Sequence, residues 1–213
     1  MEWNYGDAYK RYPIPDEGWQ FDNGSIVKTH DIFAPLPEFM KKTEVIFVDP
    51  PWNIGNLNSF YTKANIADKQ KDFERFYNRL FSCIEEINPA QTFIVIGKQY
   101  LAEFILKMKS LYRYVTFYNS SYYHKQSNIC YIVHGAVRHM KRLPLEYLDE
   151  EDAIKWICDR MSFEWIGDLC MGRGSVGYYA WKAGKKFVGT ELNHKRLSVL
   201  VERIESEKES VVV

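Results

Sequence analysis

The chain has 213 residues, which is enough for one α/β domain with a sizeable core and too few for two comfortable domains. A hydrophobic content of 46% excludes a disordered chain. The formal net charge is zero, from 28 basic and 28 acidic side chains, whereas proteins that hold nucleic acid mainly by counterion release are usually more basic. Any nucleic-acid site must therefore be a local patch or be completed by a partner chain.

Basic side chains form three clusters, and each is explained equally well as such a patch or as a solvated surface. The clusters are Arg138, His139, Lys141 and Arg142; Lys182, Lys185 and Lys186; and Lys63, Lys69, Lys71 and Arg75.

Neither a metal site nor a membrane segment is predicted. The four cysteines, Cys83, Cys130, Cys158 and Cys170, lie far apart and form no Cys-x-x-Cys pair, which argues against zinc and against a disulfide framework. The N-terminus is polar and acidic, unlike a signal peptide, and no apolar run approaches membrane-spanning length. We therefore expect a cytoplasmic protein.

In chain order, strand-like and helix-like segments alternate after an irregular lead-in over residues 1–25. The sequence predicts a strand over 44–48, a polar stretch without periodicity over 53–71, a helix over 73–87, a strand over 92–96, a helix over 101–111, a hairpin of runs 112–123 and 129–134 joined by 124–128, a helix over 146–161, a strand over 163–169, a helix over 176–183, a strand over 186–190, a helix over 197–204 and a flexible tail over 206–213.

This alternation predicts a single α/β domain of Rossmann-like architecture, with a mostly parallel sheet and helices on both of its faces. The hairpin predicts an antiparallel strand at the edge of the sheet.

The first motif with chemical content is Asp49-Pro50-Pro51-Trp52, at the carboxyl end of the first predicted strand. Ligands of open α/β sheets bind at that end. The exocyclic amine of a nucleobase is a poor nucleophile, so a site that methylates it must accept hydrogen bonds from both N–H groups. Asp49 supplies one acceptor, the carbonyl of Pro50 in the rigid turn supplies the other, and Trp52 offers a plane for stacking. The alternative is a strand that ends in a Pro-Pro turn and a packed tryptophan.

The second motif is a glycine-rich loop between a predicted strand and a helix. It contains Asp168, Gly172, Gly174 and Gly177, and Glu191 follows at the end of the next strand. The glycines permit a tight turn and close approach of a ligand, and Glu191 is placed to bind ribose hydroxyls. The spacing also matches a dinucleotide fingerprint, but too few residues remain downstream for a nicotinamide-binding half. A glycine-rich turn without a ligand is the other alternative.

With these motifs in this order, the chain resembles the permuted β-class amino-methyltransferases of DNA bases, and it is similar to the MT-A70 family of adenine methyltransferases. The resemblance extends over about residues 26–204. It implies S-adenosylmethionine as the cofactor and a base that is flipped out of a duplex. The family match assigns cofactor contacts to Asp31, Asp168, Cys170, Gly172, Gly174 and Glu191.

The resemblance also predicts which residues contact the substrate. The hairpin, with His124, Lys125 and His134, resembles the segment that lines the base pocket, and the loop that begins at Asn53 is a candidate for base recognition. The stretch 138–144 resembles the basic, proline-ended segment that enters the cofactor site.

The leading prediction is methyl transfer to adenine N6 in DNA. Cytosine-N4 enzymes of this class typically carry serine at the position of Asp49, and enzymes that methylate protein glutamine or guanine N2 have the glycine-rich loop first. The alternatives are the same chemistry on RNA, a catalytically idle partner subunit as in the MT-A70 family, and, least favoured, a nicotinamide-dependent oxidoreductase.

One departure from the resemblance concerns target recognition. The β-class enzymes usually insert a recognition segment between the hairpin and the basic stretch, and the few residues from Gly135 to Pro144 leave no room for one. We therefore expect a homodimer or a hetero-partner to supply recognition.

Overall fold

The computed structural model describes residues 5–67, 70 and 72–211. Lys69 and Lys71, which belong to one of the basic clusters, lie outside the described residues. The helices are α1 (Ala8–Arg11), α2 (Ile54–Lys63), α3 (Phe73–Ile87), α4 (Leu101–Leu111), α5 (Glu150–Arg160), α6 (Ser175–Lys182) and α7 (His194–Val211). The strands are β1 (Trp19–Gln20), β2 (Ile26–Thr29), β3 (Val45–Val48), β4 (Gln91–Ile96), β5 (Tyr114–Tyr122), β6 (Lys125–Ala136), β7 (Trp165–Asp168) and β8 (Lys186–Glu191).

Eight strands form one sheet in the order β1-β2-β8-β7-β3-β4-β6-β5. The five strands from β2 to β4 in this order are parallel, and β6 runs antiparallel to β4. The register pairs Thr29 with Glu191 and Asp168 with Gly189. The carboxyl ends of β2, β3, β7 and β8 consequently meet at one edge of the sheet.

Buried side chains alternate between the two faces of the central strands, as expected for a parallel sheet covered on both sides. Val45 and Phe47 belong to the core that includes residues of α5, α6 and α7. Ile46 and Val48 belong to the opposite core, with residues of α2, α3 and α4. The predicted α/β fold with helices on both faces is thus confirmed.

The bounds predicted for α3 and α4 are also confirmed. In α3, the Asp72 side chain accepts a hydrogen bond from the backbone N–H of Glu74 at the start, and Asn88 ends the helix in the left-handed conformation. These are local signals that a sequence displays directly.

Two segments contain secondary structure that the sequence did not predict. The lead-in contains α1 and β1, and β1 pairs with β2 as an antiparallel edge strand. Residues 54–63 form a helix because Asn53 caps it and because Leu57 and Tyr61, one turn apart, are buried. Because only two positions of this helix are buried, the sequence shows no apolar periodicity from which the helix could be predicted.

The chain end and the hairpin turn are also more ordered than predicted. Helix α7 continues to Val211, and within it Lys208 pairs with Glu205 and with Asp22 of the lead-in, so the tail expected to be flexible is helical through that residue. The hairpin turn has two residues rather than five, since Tyr123 and His124 both adopt positive φ angles, 59° and 53°.

Within the described residues, no helix has the length and the apolar character needed to cross a membrane.

The glycine-rich loop generates a stability prediction. Gly174 has a φ of 81°, and a Cβ atom there would lie 2.6 Å from a methyl carbon of Leu200. Gly184 has a φ of 70° with open space around it, so it is the matched control. Gly184→Ala should lower the free energy of unfolding by about 1–2 kcal/mol through backbone strain alone, and Gly174→Ala by about 1–3 kcal/mol more through overpacking. Equal losses in urea denaturation would contradict the packing argument.

Candidate active site

A cavity of about 1180 Å³ opens at the edge where the carboxyl ends of the parallel strands meet. Seven carboxylic side chains and four Lys or Arg side chains are among the residues that line it. The acids are Asp31, Asp49, Asp149, Glu150, Glu151, Asp168 and Glu191, and the cations are Lys63, Arg173, Arg196 and Arg203. Carboxylic side chains therefore outnumber Lys and Arg side chains by three in this cavity, within a chain of zero net charge. In the described part of the chain, these side chains form no group of three or more that could hold a metal ion.

Asp49 lies directly after β3 and faces the cavity with a carboxylate that already has two protein donors. The indole N–H of Trp52 donates to Oδ1 at 3.0 Å, and the hydroxyl of Tyr122 donates to Oδ2. Burial raises the pKa of Asp49 to about 6, although both hydrogen bonds oppose the shift. The carboxylate is thus held in one orientation and remains an acceptor near neutral pH.

Trp52 is placed to orient Asp49; it is half-buried and is not among the described residues that line the cavity. It makes an edge contact with the Tyr122 ring at 5.4 Å between centroids. A Cβ atom at Gly97 would lie 2.7 Å from Trp52, so the tryptophan ring packs directly on that glycine at the end of β4. Of the four residues of the Asp49-Pro50-Pro51-Trp52 motif, Asp49 and Pro51 are among the described residues that line the cavity.

The glycine-rich loop forms the floor between β7 and α6. Gly172 and Gly174 have φ angles of 56° and 81°, in the left-handed region that favours glycine. Asp168 Oδ1 accepts a hydrogen bond from the backbone N–H of Cys170 at 2.9 Å. Burial raises the pKa of Asp168 well above its usual range and also raises the pKa of the Cys170 thiol. Four of the predicted cofactor residues therefore lie together.

Glu191 ends β8 and joins the glycine-rich loop to the start of α7. Its Oε2 accepts from the N–H of Gly172 at 2.8 Å, and its Oε1 accepts from the N–H of Asn193 at 3.1 Å. Arg196 Nη1 lies 3.7 Å away. Burial raises the pKa of Glu191, with Arg196 opposing the shift. A carboxylate has about four acceptor sites, so Glu191 can still accept from a ligand.

Asp31 lies at the end of β2, on the same edge. Both of its carboxylate oxygens lie 3.0 Å from the Tyr61 hydroxyl, and Oδ1 also accepts from the N–H of Phe33 at 3.0 Å. Asp31 lines the cavity, which brings it together with the other predicted cofactor residues.

Of the four residues predicted to contact the substrate, His124 is among the described residues that line the cavity, and Asn53, Lys125 and His134 are not. His124 lines the cavity from the hairpin tip, where its backbone N–H donates to Asp149 at 2.7 Å. Asn53 uses its side chain to cap α2, accepting from Asn56. Lys125 is exposed on β6 and is not among the described lining residues.

His134 is a core residue, contrary to the expected substrate contact. It stacks on Phe93 at 4.1 Å between ring centroids, lies 3.1 Å from the side-chain oxygen of Gln91, and is 4% exposed. Burial lowers the pKa of His134 to about 4, so the ring is neutral. It lies near the amino end of β4, whereas the large cavity lies at the carboxyl ends of the strands.

The basic stretch 138–144 also lies away from the cofactor loop, contrary to the expectation from the family resemblance. Strand β6 runs antiparallel to β4 and pairs Ala136 with Gln91, at the amino end of that strand. The residues that follow Ala136 are consequently delivered to the edge of the sheet opposite Asp49.

Sequence patterns missed Tyr122 and Glu150, which both line the cavity near Asp49. Tyr122 reaches Asp49 because β5 and β6 continue past Ile96 and Tyr131, the last pair of β4 with β6, so the hairpin tip extends beyond the end of β4. Glu150 is the first residue of α5, directly after the N-cap Asp149. Its only sequence signal is its place in an acidic stretch, which is typical of many helix starts.

Glu150 differs from the other six acids of the cavity. Each of the others accepts a hydrogen bond from a protein donor, whereas Glu150 has no such partner among the described residues. Burial, reinforced by the negative charges of Asp49, Glu151 and Asp149, raises the pKa of Glu150 to about 9. Glu150 is therefore the carboxyl group of the cavity that lacks a protein donor among the described residues, and its environment favours the neutral form.

Comparison with solved structures identifies the class of fold. The structure of the M1.HpyAVI–SAM complex has a TM-score of 0.56 at 13% identity, over 83% of this chain and 98% of that one. TTHA0409 of Thermus thermophilus, a proposed DNA modification methylase complexed with S-adenosyl-L-methionine, has a TM-score of 0.56 at 15% identity, over 78% and 87%. The cytosine-N4-specific PvuII DNA methyltransferase has a TM-score of 0.56 at 8% identity, over 81% and 86%.

The chain therefore has the α/β fold of these proteins. No protein-family model matches the sequence, and a search of the curated proteins finds no match.

The neutral state of Glu150 generates a second stability prediction. A carboxyl whose pKa is higher in the folded than in the unfolded protein destabilises the fold increasingly as pH rises from about 4.5 towards 9. Glu150→Gln should therefore raise the free energy of unfolding by on the order of 1–3 kcal/mol at pH 7 and by less at pH 5. Urea denaturation at several pH values measures this gain. A gain that does not change between pH 5 and pH 8 would contradict the assignment.

Proposed function

We propose that this protein transfers a methyl group from S-adenosylmethionine to the amino group of a nucleobase, with adenine N6 in DNA as the target. The observation that carries the proposal is the meeting of two motifs in one cavity. Asp49, after β3, and the loop of Gly172 with Glu191 are far apart in sequence and line the same space. The shared fold with proteins crystallised with S-adenosylmethionine supports it.

The cavity suits S-adenosylmethionine in size and charge. Ligand pockets usually have volumes of about 300–1,000 Å³, so 1180 Å³ leaves room for a cofactor and for a base beside it. The excess of carboxyl groups complements the positive sulfonium and ammonium groups of the cofactor. Glu191 would bind the ribose hydroxyls, and Asp168, Cys170, Gly172 and Gly174 would line the cofactor, with Asp31 near it. When bound, the cofactor would supply the methyl group as an electrophile.

Asp49 would accept a hydrogen bond from the target amine and orient its lone pair. The amine is not acidic enough to lose a proton before attack, so deprotonation follows methyl transfer, when the nitrogen is cationic. The Pro50 carbonyl would accept from the second N–H. Trp52 and Tyr122 would hold the carboxylate in position through the hydrogen bonds they already donate.

The stacking surface would come from the hairpin tip rather than from Trp52. Tyr122 and Tyr123 line the cavity, and Tyr123 is 70% exposed, so an aromatic face is available to an incoming base. A base in a duplex would have to flip out to reach Asp49.

The choice of adenine rests on Asp49, since cytosine-N4 enzymes of the resembling class typically carry serine there. The fold does not discriminate, because the cytosine-N4-specific PvuII enzyme shares it. RNA as the polymer and a catalytically idle subunit are the alternatives.

We further propose that a second copy or a partner chain supplies target recognition.

Methyl transfer can be tested directly. Purified protein is incubated with tritiated S-adenosylmethionine and with DNA or RNA, and the products are digested and analysed by mass spectrometry. N6-methyladenine in DNA is the expected product. N4-methylcytosine would reassign the base, label in RNA alone would reassign the polymer, and no label in either would favour the idle subunit.

Asp49→Ala should lower turnover by a factor on the order of 100 or more, because a transition-state acceptor is lost. The affinity for S-adenosylhomocysteine should stay nearly unchanged. Asp49→Asn should retain more activity, since the amide oxygen still accepts one hydrogen bond. Wild-type turnover in Asp49→Ala would refute the mechanism.

Glu191→Ala should weaken S-adenosylhomocysteine binding by about 1–3 kcal/mol, because a buried acceptor for hydroxyl groups is removed. Isothermal titration calorimetry measures the change. The control is Glu164→Ala, which removes an exposed carboxylate paired with Lys186 at the opposite end of the sheet. Unchanged affinity in Glu191→Ala would show that the cofactor assignment is wrong.

A further inference from the structure

A second cleft, of about 570 Å³, lies where β5 begins and β6 ends, close to the end of α4. Tyr114, Ala136 and Gln91 pair across β5, β6 and β4 at this position, which is the amino end of β4. The cleft is therefore separate from the cavity that contains Asp49.

The charge of this cleft is opposite to that of the first cavity. Its lining includes Lys109, Arg113, Lys141 and Arg142, together with His139, and no aspartate or glutamate from the described part of the chain. In a protein of zero net charge, this local excess is the kind of patch that nucleic-acid binding requires.

Three of these cations are available to a ligand. Lys109, Arg113 and Lys141 are exposed, and no carboxylate of the described residues pairs with them. Arg142 is instead fixed, since it donates to Thr116 at 2.9 Å and pairs with Glu146 at 2.6 Å.

Aromatic rings lie among the cations. The Arg113 guanidinium lies 5.5 Å from the centroid of the Tyr114 ring, and the His139 ring contacts the same tyrosine edge-on at 5.3 Å. Cations interleaved with rings are characteristic of grooves that follow a nucleic-acid backbone.

The distance to the first cavity matches the geometry of a duplex. Strand β5 joins the cleft at Tyr114 to the hairpin tip at Tyr122, and the eight steps between these residues span roughly 27 Å at about 3.4 Å per residue. One helical turn of duplex DNA is about 34 Å long. Phosphates about one turn from a base at the hairpin tip can therefore reach the cleft.

We propose that this cleft binds the phosphodiester backbone of the nucleic acid, about one helical turn from the target base. The position of the base rests on the proposed function, whereas the affinity of the cleft for phosphodiester does not. This site would provide contacts that hold the polymer, since the few residues from Gly135 to Pro144 leave no room for an inserted recognition segment.

The test compares two triple variants of the full chain with equal losses of charge. The cleft variant is K109Q/R113Q/K141Q, and the control is K155Q/R160Q/K186Q, which changes basic residues of α5 and β8. Binding to a labelled duplex of about two helical turns is measured by fluorescence anisotropy over a range of salt concentrations. The cleft variant should lose at least about tenfold in affinity, and its salt slope should fall by roughly three, while the control changes little.

The outcomes separate this proposal from the proposed function. Wild-type affinity of the cleft variant for the duplex, or an equal loss in the control, would overturn the proposal whether or not methyl transfer is observed. If no methyl transfer is observed but the cleft variant selectively loses affinity for the duplex, the proposed function is refuted and the proposal for the cleft stands.

Two further measurements complete the design. Parallel titrations with RNA duplexes show which polymer the protein binds more tightly. A selective loss of affinity in the cleft variant with either polymer supports phosphodiester binding. The single variant Lys141→Gln, in an exposed loop, should show a salt slope lower by about one, and it provides the measurement should the triple variant fail to fold.

Discussion

The register of the parallel strands is the constraint on which the candidate site depends. Because Thr29 pairs with Glu191 and Asp168 with Gly189, the chain leaves four strands at the same edge of the sheet. Each exit delivers an acidic residue within two positions of the strand end, including Asp31 and Asp49. A slip of one residue in any strand would turn these side chains towards the opposite face.

Concentrating seven carboxyl groups in one cavity opposes stability, and the structure offsets this cost locally. Six of them accept hydrogen bonds, several from backbone N–H groups at loop and helix starts, such as the bond from Gly172 to Glu191. Burial and the neighbouring negative charges instead raise the pKa of Glu150 and favour its protonated form. An excess of carboxyl groups in a cavity is the arrangement that complements a cationic ligand.

A net charge of zero conceals two oppositely charged regions. The acidic cavity lies at the carboxyl ends of the parallel strands, and the basic cleft lies near the amino end of β4. Strand β6 produces this separation because it reverses the chain and carries His139 and Lys141 away from Asp49. The same strand carries His134 into the core, where it packs on Phe93 instead of contacting a substrate.

Local patterns in the sequence determined the helices α3 and α4, the alternation that defines the α/β fold, and the positions of the two motifs at strand ends. Apolar periodicity, capping residues and glycine turns act over a few residues, so a sequence displays them. The roles of Tyr122 and Glu150 and the packed position of Trp52 were decided by the tertiary structure. They depend on strand order and on contacts between distant segments, such as Tyr122 with Asp49, which local periodicity does not encode.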